Sequence, residues 1–314
     1  MSDTLMQGYH TPVLRDECIR ALAIKPAGVY VDCTLGGGGH FQAIVDNLSE
    51  GSMAIGIDRD PEAVAWCEGH IDKKRATVVF KRARFSRLGS VLAELGIETI
   101  DGALMDLGLS TRQISSGDRG FSYMRDVRLD MRMDPADVKT AADILRESSC
   151  EELSGILRDY GEIHNPARMA EAIKRCVKTG PITTSGELKN CLLLEYGPGF
   201  GIKGLAKLFQ ALRIAVNGEL TELKRCCEQA VSLMKTGGRL AVISYHSLED
   251  RYVKNFMRDL EKGCLCPPSV PVCVCGKKKK LKRITAKAII ASFAEKERNP
   301  ASRSARLRAA EKID

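Results

Sequence analysis

Four short stretches hold the side chains best suited to chemistry: Val31-Asp32-Cys33-Thr34-Leu35-Gly36-Gly37-Gly38-Gly39-His40, Asp58, Asp106-Leu107-Gly108-Leu109-Ser110, and His246-Ser247-Leu248-Glu249-Asp250-Arg251. In the first, an apolar run ends in four consecutive glycines, where a ligand can approach backbone that a Cβ would shield, and a helical pattern with free N–H groups follows. Asp58 ends a second apolar run 22 residues after Gly36, a placement that suits a ribose diol. Phe41 stands where a dinucleotide fingerprint needs its third glycine, so the pocket is shaped for a nucleotide but not for a dinucleotide.

These groups need a frame, and the chain supplies alternating patterns. Val29–Thr34, Met53–Asp58, Thr77–Lys81 and Gly102–Leu107 read as strands; Phe41–Leu48, Pro61–Ile71 and Leu88–Leu95 between them read as helices. Such alternation predicts a parallel sheet covered on both faces, with ligands at the carboxyl ends of its strands. All four stretches fall at such ends. From Ser115 to about Asn217 the patterns are helical only, and a strand returns after Gly237-Gly238, at Arg239–Ser247. The expected organisation is a discontinuous domain over 1–114 and 218–314, interrupted by a helical domain over 115–217.

With 314 residues the chain can bury a full core. No apolar run approaches the ~18 residues of a membrane span and the N-terminus has no signal-peptide pattern, so a cytoplasmic protein with no membrane partner is expected. Residues 276–314 hold thirteen Lys and Arg against four acids, net +9, whereas the whole chain is +8 and everything before sums to −1. The basic run Lys277-Lys278-Lys279-Lys280-Leu281-Lys282-Arg283 either meets phosphates without reading sequence or is a solvated loop.

Twelve cysteines in such a compartment are expected to be reduced. Eight of them, Cys18, Cys33, Cys67, Cys150, Cys176, Cys191, Cys226 and Cys227, lie dispersed in apolar patterns as packing residues. The pairs Cys264-Leu265-Cys266 and Cys273-Val274-Cys275 are different. Four thiolates within twelve residues either close a tetrahedral zinc site or remain thiols in a proline-rich loop.

At these residues the sequence resembles the ribosomal RNA small subunit methyltransferase H (MraW-type) family almost end to end. The resemblance is carried by His10-Thr11-Pro12-Val13, Asp32-x-Thr34-x-Gly36-x-Gly38-Gly39-His40, Ile57-Asp58-Arg59-Asp60-Pro61, Leu104-Met105-Asp106-Leu107-Gly108 and Arg119-Gly120-Phe121-Ser122. It continues through Leu129-Asp130-Met131-Arg132-Met133-Asp134, Phe209-Gln210-Ala211-Leu212-Arg213, Ser244–Arg251 and Asn299-Pro300-x-x-Arg303-Ser304-Ala305. It implies an α/β fold, a class I (Rossmann-like) S-adenosylmethionine-dependent methyltransferase sheet with an inserted all-α domain. The implied reaction is methyl transfer from S-adenosylmethionine to N4 of a cytosine in the decoding centre of 16S rRNA. The partner is that RNA or the small ribosomal subunit, with no obligate protein partner inferred. Gly38, Gly39, His40, Asp58, Phe85, Asp106 and Gln113 are implied to line the cofactor site. Val127-Arg128 replaces the family's Gly-Pro, and Ile163-His164-Asn165 replaces a charged pair; both departures concern the acceptor side. Paired cysteines like those at 264–275 occur in only some members, so no metal is assigned to catalysis.

The chemistry of such a transfer is mainly alignment. An exocyclic amine is a poor nucleophile, but once methylated it is strongly acidic, so a carboxylate suffices to take its proton. Asp106 is the expected acceptor or orienting group, with a structural carboxylate as its alternative. His246 or Ser247 is expected to contact the base or receive the proton, unless His246 is a core residue. His40 either touches the ligand or caps the glycine-loop helix. Phe121, Tyr123 and Tyr245 are the candidates to stack on a base, and Arg132, Arg213 and Arg251 serve either phosphates or internal ion pairs. Methylation at a ring carbon would need a cysteine at the fourth strand, and none lies there. A methyltransferase acting on DNA or protein, and a non-catalytic RNA-binding factor, remain the alternatives.

Overall fold

The structure, a computed structural model, describes residues 12–109, 119–197, 200–264, 266, 272 and 275–314. Two compact units make up the chain, one of Met1–Gly108 with Glu222–Asp314 and one of Leu109–Thr221.

The first unit is built on seven strands: β1 (Val29–Asp32), β2 (Met53–Asp58), β3 (Thr77–Arg82), β4 (Ile100–Asp106), β5 (Met234–Ser244), β6 (Leu281–Arg283) and β7 (Arg306–Lys312). Their order across the sheet is β3-β2-β1-β4-β5-β7-β6. The first five pair in parallel; β7 runs antiparallel between β5 and β6. Helices α1 (Arg15–Leu22), α2 (Gly39–Asp46), α3 (Pro61–His70) and α4 (Leu88–Glu94) occur in the first half. Successive side chains of one strand point to opposite faces. Tyr30, Ala54, Leu104 and Ala241 accordingly pack with α1, α2 and α3, while Val31, Ile55, Ala103, Met105 and Val242 face α4 and the later helices. Both faces are buried, and each fully buried Leu or Ile contributes roughly 1.5–3 kcal/mol.

The second unit contains α5 (Ala141–Glu147), α6 (Cys150–Gly161), α7 (Pro166–Thr179), α8 (Ser185–Tyr196) and α9 (Ile202–Asn217) around one core. Three of these helices start with reciprocal caps, Thr140 with Asp143, Ser149 with Glu152, and Thr184 with Glu187. The buried Asn217 side chain accepts from Met133 N–H at 2.9 Å and donates to Met131 O at 2.8 Å, pinning the preceding segment to α9. Arg132 is committed to Asp130 and Arg213 to Glu219, both within this unit.

Three features depart from the sequence-based expectations. A helix, α10 (Glu219–Leu233), precedes β5, and β5 itself begins at Met234. The strand ends at Ser244, before the expected Ser247, because His246 caps the next helix, α11 (Ser247–Glu261). Cys176 and Cys191 are not packing thiols but a disulfide between α7 and α8, with Cα atoms 6.0 Å apart, a spacing suited to such a bond. The other six dispersed cysteines are thiols, all buried except half-buried Cys150. A short helix, α12 (Phe293–Arg298), leads toward β7. No helix among the described residues is long and apolar enough to cross a membrane.

Candidate active site

The glycine loop follows β1 and stays bound to both neighbouring strands: Cys33 N–H donates to Leu104 O and Leu35 N–H to Ile57 O, each at 2.9 Å. Gly38 has φ +79°, and a Cβ there would lie 2.8 Å from Cys67 Sγ and from Ile71 Cδ1. Only glycine makes this turn without strain or collision. At Gly36 the missing Cβ would meet only Thr34 O, at 3.8 Å, so that face of the backbone is open to a ligand.

Asp58 ends β2 beside this loop. Its Oδ2 accepts from Gly36 N–H at 2.8 Å and its Oδ1 from Asp60 N–H at 2.9 Å. Burial raises its pKa, against the pull of those two N–H groups. Each oxygen retains acceptor capacity for a hydroxyl. Asp60 in turn caps α3 through Glu62 N–H, which fixes the turn after the carboxylate. Phe85 begins a short 3-10 turn just past β3 and is half-buried against the core. Ala83 N–H donates to Asp58 O at 2.9 Å, which ties this segment to the tip of β2.

Asp106 ends β4. Its backbone N–H donates to Thr34 Oγ1 at 2.6 Å. Its Oδ1 accepts from the Tyr245 hydroxyl at 2.7 Å, and its Oδ2 lies 3.4 Å from His40 Nδ1. His40 is buried, and its Nε2 lies 2.9 Å from Val13 O. A carbonyl only accepts, so Nε2 carries a proton; the carboxylate facing Nδ1 requires one there as well. With a proton on both nitrogens the ring pairs with Asp106 as an imidazolium. Burial alone would favour its neutral form, but the bonds to Asp106 and Cys18 outweigh burial and hold its pKa well above the ordinary value. Tyr245 stays a phenol, since burial and the Asp106 charge raise its pKa well above the usual one. The Asp106 carboxyl is thus held from two different elements, by Tyr245 just past β5 and by His40 in α2.

Asp32, at the end of β1, is buried with Oδ1 bonded to Thr34 N–H at 3.0 Å and Oδ2 without a protein partner. Burial pushes its pKa up to about 6, partly countered by His40 and the Thr34 N–H.

The structure thus brings Gly38, Gly39, His40, Asp58, Phe85 and Asp106 to the carboxyl ends of neighbouring strands. His40 neither caps α2, whose N-cap is Gly38, nor stands apart, because it grips Asp106. His246 is the N-cap of α11, its Nδ1 taking Glu249 N–H at 3.4 Å, and Ser247 is exposed at the first helical position. Tyr245, considered above only as a stacking aromatic, is the residue of that tip that touches Asp106. Phe121 and Tyr123 pack in the second unit, Tyr123 edge-on to Phe209 at 5.5 Å. Gln113 and the His10-Thr11 pair lie outside the described residues. Motif resemblance alone gives Asp32 and Thr34 no site role; the signal in the sequence is an acid at a strand end, two residues before a hydroxyl.

An S-adenosyl ligand fits these observations. The open backbone at Gly36, the half-buried Asp58 carboxylate, the Phe85 ring and the orphaned Asp32 oxygen supply small-residue clearance, a diol acceptor, an aromatic face and an acceptor for a cationic amine.

Comparison with known proteins agrees in one direction. The model of the MraW methylase family matches residues 7–313. Ribosomal RNA small subunit methyltransferase H of Clostridioides difficile (strain 630) is 42% identical over 311 residues, covering 98% of this chain and 100% of the relative. The protein of that name from Heliobacterium modesticaldum is 43% identical over 309 residues, 97% and 99% of the two chains. That from Caldicellulosiruptor saccharolyticus is 44% identical over 305 residues, 97% and 99%.

Proposed function

The chain belongs to the MraW methylase family, and we propose that it methylates N4 of a cytosine in the decoding centre of 16S rRNA. Its fold is the class I methyltransferase sheet, it is an S-adenosylmethionine-dependent methyltransferase, and its substrate is small-subunit ribosomal RNA. The finer target rests on the acceptor chemistry of Asp106. We place the enzyme in the cytoplasm, where the subunit is assembled.

Bound S-adenosylmethionine supplies a methyl group made electrophilic by its sulfonium. The residues of the chain hold and align the reactants. The Gly36–Gly39 backbone admits the methionine moiety, Asp58 accepts from the ribose hydroxyls, and Phe85 covers the adenine. Asp32 Oδ2 receives the α-ammonium group. Asp106 would accept a hydrogen bond from the exocyclic amine and orient it toward the donor; as the N–C bond formed the S–C bond of the donor would break, S-adenosylhomocysteine would leave, and Asp106 would take the N–H proton. Tyr245 and His40 keep the Asp106 carboxylate from rotating, so no reorganisation accompanies the step. Ser247, exposed at the start of α11, and the second unit are assigned to the acceptor RNA, whose target base must be unstacked to be reached.

The observation that carries this reading is the Asp106 carboxyl held at the β4 tip by Tyr245 and His40, at the same sheet end as Asp58 and the glycine loop. Incubation with labelled S-adenosylmethionine and undermethylated small subunits, naked 16S rRNA or DNA, followed by nucleoside mass spectrometry, tests it. N4-methylcytidine is expected from an RNA substrate. Its absence from both RNA substrates overturns the proposal.

A further inference from the structure

The methyl-transfer site leaves the paired cysteines after α11 unused. Helix α11 ends at Glu261, and the chain returns beside it: Lys280 N–H donates to Leu260 O at 2.9 Å and Lys277 Nζ to Asp259 O at 2.6 Å. Within this stem Gly263 faces Lys279, whose Cγ would stand 3.1 Å from a Cβ on the glycine. The two strands of the stem therefore deliver Cys264 from one side and Cys275 from the other. Gly276, with φ +61°, turns the backbone directly after Cys275, where a side chain would be strained.

The sulfurs meet. Cys264, Cys266 and Cys275 offer Sγ atoms all within 4.8 Å of one another. The Cys264 and Cys275 sulfurs are 3.8 Å apart. Thiolates about 2.3 Å from a tetrahedral zinc ion stand about 3.8 Å from each other, the separation of this pair. Cys266 N–H points at Cys264 Sγ, 3.3 Å away, a hydrogen bond that favours the thiolate and orients it toward a metal. A disulfide would employ two of the three sulfurs; three converging soft donors select zinc over oxygen-preferring cations.

We propose that Cys264, Cys266 and Cys275 bind a structural zinc ion as thiolates. Three S–H protons pass to solvent as three Zn–S bonds form, with no change of oxidation state. The described residues supply three ligands; Cys273, two positions before Cys275 in the sequence, lies outside them. The ion ties Cys264, close to the end of α11, to Cys275, and it fixes the point from which the Lys277–Lys280 run departs. The inference is independent of the methyl-transfer reading, because none of its residues belongs to that site.

The test uses the full chain, purified under reducing conditions without chelator. Metal analysis should find about one zinc per chain in the wild type and under about 0.2 in a Cys264→Ser/Cys275→Ser variant. After zinc removal, cobalt(II) should produce thiolate-to-metal charge-transfer absorption in the wild type and none in the variant. S-adenosylmethionine binding should be within about twofold of wild type in the variant, showing that it is folded. The proposal is overturned by a wild-type chain that holds under about 0.2 zinc and takes up neither zinc nor cobalt stoichiometrically. Equal zinc in wild type and variant overturns it too.

Discussion

The hydroxyl of Tyr245, just past β5, donates to Oδ1 of Asp106, at the end of β4, across 2.7 Å. Neighbouring parallel strands thus share one hydrogen bond at the point where chemistry is proposed. A hydrogen bond to a charged group is worth roughly 1.5–3 kcal/mol, or about ten- to a hundredfold in rate when it orients the reacting group. Tyr245→Phe should lower single-turnover methyl transfer by that factor. Its S-adenosylmethionine Kd, read by calorimetry, should stay within about twofold of wild type. An unchanged turnover would remove Tyr245 from the positioning of Asp106.

Asp58→Asn keeps the shape of the β2 tip but loses its charge and one acceptor oxygen. The expected loss of cofactor affinity is about ten- to a hundredfold, measured by titration calorimetry on protein whose circular dichroism matches wild type. Wild-type affinity in the variant would end the assignment of Asp58 to the ribose.

The charge on His40 makes a prediction with a definite sign. Its folded pKa is raised, so the native state retains a proton that the unfolded chain releases near pH ~6.5. The resulting stabilisation is complete below that pH and is lost as pH rises through the folded pKa. The stability difference between wild type and His40→Gln, from denaturant titrations at a series of pH values from ~6 upward, should shrink with rising pH. A pH-independent difference would mean a neutral ring.

Asp32 acts in the acid range. Its pKa rises from 3.8 unfolded to about 6 in the fold, so the native state holds the extra proton between those values. Its contribution is greatest below the lower value and falls as pH rises through about 6, by on the order of 3 kcal/mol. Asp32→Asn removes this slope. The wild-type stability relative to the variant should therefore decline over that interval, and a flat comparison would place the Asp32 charge in a solvated setting.

The strands that frame the site were readable because each ends in a chemically marked tip: Thr34 and the glycines, Asp58, Asp106, and the Ser244–His246 segment. Their apolar runs are what a sheet buried on both faces requires. The antiparallel edge was not readable. Arg306-Leu307-Arg308-Ala309-Ala310-Glu311-Lys312 has neither β-branched residues nor a clean alternation, yet it forms β7, where Arg308 is buried against Asp250 through bonds of 2.7 and 3.1 Å. Helix α10 was hidden for a related reason. Its buried face combines Leu223 and Val231 with Cys226, Cys227 and Ala230, and the small residues at its centre dilute the apolar signal. At the site, residue types identified Asp106 and His40 separately. Their pairing, and the arrival of Tyr245 in place of His246, follow from strand order and from the His246 cap, which are properties of the fold and not of any local stretch.

The position of β7 imposes an order on how the protein is made. Residues 306–312 close the outer edge of β5, yet they leave the ribosome after every other strand. While translation proceeds from β5 to β7, Leu240, Val242 and their neighbours belong to a strand whose outer N–H and C=O groups have no partner, and such an edge invites pairing with another nascent chain. A chain lacking residues 306–312 is therefore expected to leave the β5 edge open to pairing with another chain.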